Sequence, residues 1–193
     1  MKTKFLLTVA AMCASSASLA ADVSPTINPL AEATKIMDRC AGIANRISSM
    51  KVPPGAAEAR LAELHNEGVA KMQATAAPGV KSKEAAPEVK RIAPEHQAFM
   101  SGIRAERGQL EKCGQEYARV NKPAEALMKR TGEAFEKNPT KSPSEDDKKV
   151  GAAMMAYSKA SENLATSITA LSKDSVHQRY VGRVVNKYFL GRE

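Results

Sequence analysis

The sequence predicts an all-α protein, an antiparallel bundle of about four to five helices closed by one disulfide, and three observations carry that prediction. Apolar residues recur at three-to-four-residue spacing through most of the chain. Aromatic residues make up only 4% and Trp is absent, while Ala and Met are plentiful. A core of small and flexible side chains favours close helix packing over a β-sandwich. Finally, Cys40 and Cys113 each fall on the apolar line of a different predicted helix.

The N-terminus reads as an export signal. Lys2 and Lys4 form a basic start, Phe5 to Cys13 an apolar run, and Ser18-Leu19-Ala20 places small residues where a signal peptidase requires them. Cleavage is expected after Ala20, with the bond after Ala21 second, leaving residues 21–193 as a single domain. The apolar stretch dissolves into Ser15, Ser16 and Ser18, too early for the roughly 20 residues that a transmembrane span needs. Cys13 follows Met12 inside the apolar run, which argues against a lipoprotein. The expected compartment is a bacterial periplasm reached by Sec-type export, with extracellular release as a further route.

In chain order, Asn28-Pro29 is expected to start the first helix with a capping side chain and a proline in the first turn. Ile36, Cys40, Ile43, Ile47 and Met50 mark its buried face. Lys51 to Gly55 is a break, and Leu61, Leu64, Gly68 and Met72 are expected to form the inner face of a second helix ending near Thr75. Residues 76–93, with Pro78-Gly79 and Pro87 followed by Pro94, read as a Pro-rich connection. A third helix begins near Pro94 and carries Phe99, Ile103, Leu110, Cys113, Tyr117 and Val120 on one line. Pro123 either interrupts it or starts a short fourth helix. Ser142-Pro143-Ser144-Glu145 matches a capping box, and Val150, Met154, Tyr157, Ser161, Leu164, Ile168 and Leu171 follow a near-heptad line. Ser175 to Leu190 is richer in Val and Tyr and is expected to be helix rather than strand.

An isolated cysteine pair in an oxidising compartment is read first as a disulfide. Its loop would stabilise the fold by roughly 4 kcal/mol in the chain-entropy model. Two inert buried thiols or a redox pair is the alternative, although no C-x-x-C spacing is present to lower a thiol pKa.

No catalytic or metal-binding pattern emerges. His65, His96 and His177 are scattered, and there is no H-E-x-x-H, G-x-S-x-G or phosphate-binding glycine loop. Glu106 interrupts the stripe between Ile103 and Leu110 and is expected to reach solvent at its edge. Losing Lys2 and Lys4 from 29 basic residues leaves 27 against 21 acidic ones, a formal charge of +6. A field of that sign attracts acidic proteins or anionic lipid surfaces, whereas the charge density and motifs of a nucleic-acid binder are lacking.

The C-terminal segment holds the candidate binding residues. Arg179, Arg183 and Lys187 recur at i, i+4 and i+8, while Tyr180, Val184 and Tyr188 form an adjacent line. Arg179, Tyr180, Arg183, Lys187 and Tyr188 are therefore the expected contacts to a protein partner, with peripheral contact to anionic envelope lipids as a further use. The expected function is non-enzymatic binding of another macromolecule, as in an inhibitor, an immunity protein against a toxin or a chaperone-like adaptor, with no cofactor. A non-covalent haem carrier is the alternative, because a bundle can hold haem between a Met of one helix and a His of another, and Met37 lies near the start of the first helix and His177 near the end of the last.

Overall fold

The computed structural model describes residues 24–75, 91–137 and 144–192, and every regular element among them is helical. The export signal and its cleavage site, most of the Pro-rich connection, and Ser142-Pro143 lie outside the described residues. The helices are α1 (Ser24–Ser48), α2 (Ala56–Thr75), α3 (Pro94–Lys137), α4 (Glu145–Lys173) and α5 (Ser175–Val185). A π-helical turn, Asn186–Leu190, follows α5 and is stopped by Gly191, whose φ of 60° is the left-handed conformation that glycine adopts freely.

Helix α1 lies between α3 and α4 and packs along both. Its apolar line, Leu30, Met37, Cys40, Ile43 and Ile47, is buried, and Ala33, Ala41 and Ala44 keep the surface low enough for two neighbours to approach. The helix starts at Ser24, one turn earlier than the Asn28-Pro29 signal predicts, and carries Pro29 within it. Cys40 and Cys113 form the expected disulfide, with Cα atoms 5.7 Å apart across 73 positions of sequence. The pairs Glu32 with Arg119, Arg39 with Glu116, and Arg46 with Glu106 run in opposite chain directions, so α1 and α3 are antiparallel. Glu106 accordingly does not end free in solvent: its side chain is 17% exposed and accepts from Arg46 at 2.9 and 3.2 Å.

Helix α3 continues through Pro123 for 44 residues, a span of about 66 Å. The expected interruption is absent because both sides of the proline are anchored. Val120, Ala124 and Leu127 are buried, and the Tyr157 hydroxyl of α4 donates to Asn121 Oδ1 at 2.7 Å. Burial in the main, with a smaller push from Glu125, raises the Tyr157 pKa well above its ordinary value and keeps that donor protonated.

The capping box of α4 sits two residues later than predicted. Asp147 N–H donates to Ser144 Oγ at 3.1 Å, and Ser144 N–H donates to Asp147 Oδ2 at 2.9 Å. The predicted α4 stripe is buried at Val150, Tyr157, Leu164, Ile168 and Leu171. Helix α5 then starts from Asp174, whose carboxylate accepts from the His177 and Val176 backbone N–H groups. Those bonds, His177 first, hold the Asp174 pKa below its usual value, so this cap is fully formed above the ordinary Asp range and is lost as pH falls through the lowered pKa. Tyr180, Val181, Val184 and Val185 bury the inner face of α5 against α3 and α4.

Helix α2 is rotated away from its predicted orientation. Leu61 (59%), Leu64 (46%) and Met72 (64%) are exposed, as is Gly68, whereas Glu63 is buried. Glu63 and Glu67 pair with Arg60 and Arg104, locking α2 onto the first turns of α3 through charge rather than through its leucines. The ionic line lies roughly a third of a turn from the apolar one.

Two substitutions probe this packing. Cys40→Ser should lower the melting temperature in oxidising buffer, by an amount equivalent to about 4 kcal/mol, and change little under reductant; equal losses in both would remove the disulfide's role. Pro123→Ala should raise the melting temperature, since an internal proline costs a helix about 3 kcal/mol. An unchanged or lower value would show that the missing N–H is compensated by packing at that turn.

Candidate functional site

Four elements converge on one concavity of about 400 Å³. Helix α5 supplies Arg179, Tyr180, Arg183 and Val184, and the π-helical turn supplies Lys187 and Tyr188. Helix α2 adds Arg60, and α3 adds Arg107 and Glu111. All five residues predicted as partner contacts thus border one cleft. The predicted set missed Arg60, Arg107 and Glu111, because only tertiary packing brings α2 and α3 to the α5 face.

The predicted residues do not share one environment. Arg179, Arg183 and Lys187 are exposed, Tyr188 is half-buried, and Tyr180 is only 3% exposed. Tyr180 therefore belongs to the core rather than to an open docking line. Its ring lies edge-on to Phe99 at 6.2 Å and beneath the Arg60 guanidinium at 4.6 Å. Burial, with Glu63 adding to it, pushes its pKa up to about 12, so the hydroxyl stays neutral and able to donate.

Tyr188 is seated by glycine. A Cβ at Gly114 would come within 2.7 Å of Tyr188 Cβ and 2.8 Å of its Cγ, so the absence of a side chain at this buried helical position makes the seat. Gln115 Nε2 donates to the Tyr188 hydroxyl at 3.4 Å, and Lys187 Nζ lies 4.9 Å from its ring centre. Phe189 stacks on Tyr117 at 5.7 Å and pins the other side of the turn to α3.

Electrostatically the cleft is unbalanced, with five cations facing one carboxylate. Arg60 is held by Glu63, but among the described residues no ion pair engages Arg107, Arg179, Arg183 or Lys187. Among the described residues Arg179 donates to the Ala57 carbonyl alone, at 3.5 Å. Two buried donors are left over as well: Arg60 Nε and the Tyr180 hydroxyl find no hydrogen-bond acceptor among the described residues. A buried donor left unmade costs about 1–3 kcal/mol, and both of these belong to residues that line the cleft. The arrangement can hold an anion.

The remaining candidates are placed elsewhere. Met37 and His177 are both buried and border neither this cleft nor the shallow second concavity of about 410 Å³ between α1 and α4. Among the described residues no three His, Cys, Asp or Glu side chains come together as a metal-binding group, and no helix is long and apolar enough to cross a membrane. Comparison with known proteins returns no match to a family model, a curated protein or a solved structure, so the cleft is read from its own geometry.

Paired glycine substitutions check the seat. Gly108→Ala, where an added Cβ meets nothing within 4 Å, should stabilise α3 by about 1 kcal/mol through helix propensity. Gly114→Ala should instead destabilise the protein and speed proteolysis of the C-terminal turn, because Tyr188 must leave. Equal gains from both substitutions would mean that Tyr188 moves aside without loss.

Proposed function

We propose that this protein is an exported, non-enzymatic binding protein that docks an acidic partner protein against the basic cleft, in the manner of an inhibitor, an immunity protein or a chaperone-like adaptor. The observation that carries this reading is the convergence of five cations from four elements on one concavity, four of them without an ion-pair partner among the described residues. Unpaired cations of one sign raise the encounter rate with an acidic surface and reject basic ones. Arginine and tyrosine are side chains that binding hot spots favour: tyrosine provides wide contact with little rotamer entropy to lose, and arginine a planar fork of donors. The lining offers positive charge and donors, the chemistry of holding an anion.

A second reading is contact with an anionic envelope lipid surface. It is favoured by one observation, the exposed Leu61, Leu64 and Met72 on the same helix that lends Arg60 to the cleft.

The test is capture of the tagged mature protein from its own cell envelope, in parallel with the triple variant Arg107→Gln, Arg183→Gln, Lys187→Gln. The expected result is one stoichiometric acidic protein, recovered at least tenfold less by a triple variant that keeps its helicity and melting temperature. Equal recovery by both would overturn the role of the cleft. Recovery of anionic lipid without protein would move the case to the second reading.

A further inference from the structure

We infer that the basic cleft is a phosphate site, one that takes a phosphomonoester whose organic part rests on the tyrosine and valine wall. The inference rests on the cleft being the binding face, but not on the partner being a protein.

Its first support is the pair of leftover donors. Arg60 Nε and the Tyr180 hydroxyl are both buried, both lack an acceptor among the described residues, and both belong to side chains that border the cleft. Both atoms are closed to solvent in this structure, so a ligand must displace side chains of the cleft wall to reach them. Arg60 is tethered to Glu63 and stacked over the Tyr180 ring, which is wedged against Phe99. Buried donors with nothing to donate to are satisfied by an oxyanion that displaces this cover.

The second support is the charge and shape of the lining. Arg107 of α3, Arg183 of α5 and Lys187 of the π-helical turn line the same cleft, so positive charge reaches it from three elements besides α2. A carboxylate is flat and singly charged and needs one fork. A phosphate dianion presents oxygens tetrahedrally and accepts several forks together, and arginine outnumbers lysine here four to one. The third support is room. About 400 Å³ falls at the small end of organic-ligand sites and exceeds what a bare ion fills, while Val184 and Tyr188 provide apolar walls beside the charge.

The phosphate can come from a soluble ester or from a lipid headgroup, and the experiment separates the two. Purified mature protein is titrated calorimetrically with glycerol phosphate, and with glycerol and sodium acetate as controls at matched ionic strength. Vesicles of phosphatidylcholine with and without phosphatidic acid form the second arm. Saturable binding is expected for glycerol phosphate alone among the soluble probes. It should weaken at least fivefold in Tyr180→Phe and in Arg183→Gln and stay unchanged in Arg39→Gln, a cation outside the cleft. Phosphatidic acid binding with the same Tyr180 dependence would support the site and assign a headgroup source; a response to the soluble ester only would support it and assign a free one. Equal affinity for acetate and glycerol phosphate, or full affinity in a Tyr180→Phe variant with native melting behaviour, would overturn it. So would vesicle binding that ignores Tyr180→Phe, since diffuse surface charge would then suffice. Because these probes involve no partner protein, their failure leaves the docking of an acidic protein standing.

Discussion

The seam between α1 and α3 is the constraint on which the rest of the molecule depends. One covalent bond, Cys40 to Cys113, fixes the two helices at a single register, and three ion pairs spaced along the same contact agree with it. Each surface pair contributes little alone. Their value lies in consistency, because a slip of one turn would break all three and the disulfide together. With α1 fixed on α3, the alanines of α1 leave room for α4 on its other side.

The cleft inherits this register. Gly114 follows Cys113 directly, so the bond that sets the rotation of α3 also sets where the seat for Tyr188 opens. Asp174 caps the start of α5 and Gly191 ends the π-helical turn in the left-handed region. Between those two stops, the segment presents its valines and Tyr180 inward and its cations outward. The π-helical turn is held against α3 by the stacking of Phe189 on Tyr117 and by the seat that Gly114 opens for Tyr188.

Most of the helical architecture could be read from local pattern, because apolar periodicity and the two cysteines each report on burial directly. The stripes around Cys40, Cys113 and Leu164 are core in the structure, and the C-terminal segment is helical as its spacing implies. What local pattern could not show were competitions decided by tertiary contact. Pro123 carries a strong breaking tendency, yet buried neighbours on both sides and the Tyr157 bond to Asn121 outweigh it. In α2 the leucine line and the Glu63–Arg104 lock compete for the inner side, and the ionic line wins because α3 offers an arginine there. The cleft was half readable: i, i+4 spacing groups Arg179, Arg183 and Lys187, but Arg60 and Arg107 enter only through packing.

The ionic attachment of α2 has a consequence for how the molecule opens. The whole of α2 lies inside the covalent loop between Cys40 and Cys113, and although Ala56 and Val69 are buried, none of its residues joins the main apolar core. Its detachment therefore uncovers Tyr180, Val69 and Ala56 but leaves the α1, α3 and α4 core intact. In hydrogen exchange, α2 amides will open as a separate low-energy unit, accelerated by salt, while α1 amides exchange only with global unfolding. Because Arg60 travels with α2, the cleft is complete only in the closed state, and a ligand that grips Arg60 will slow exchange along a helix most of whose residues it never touches.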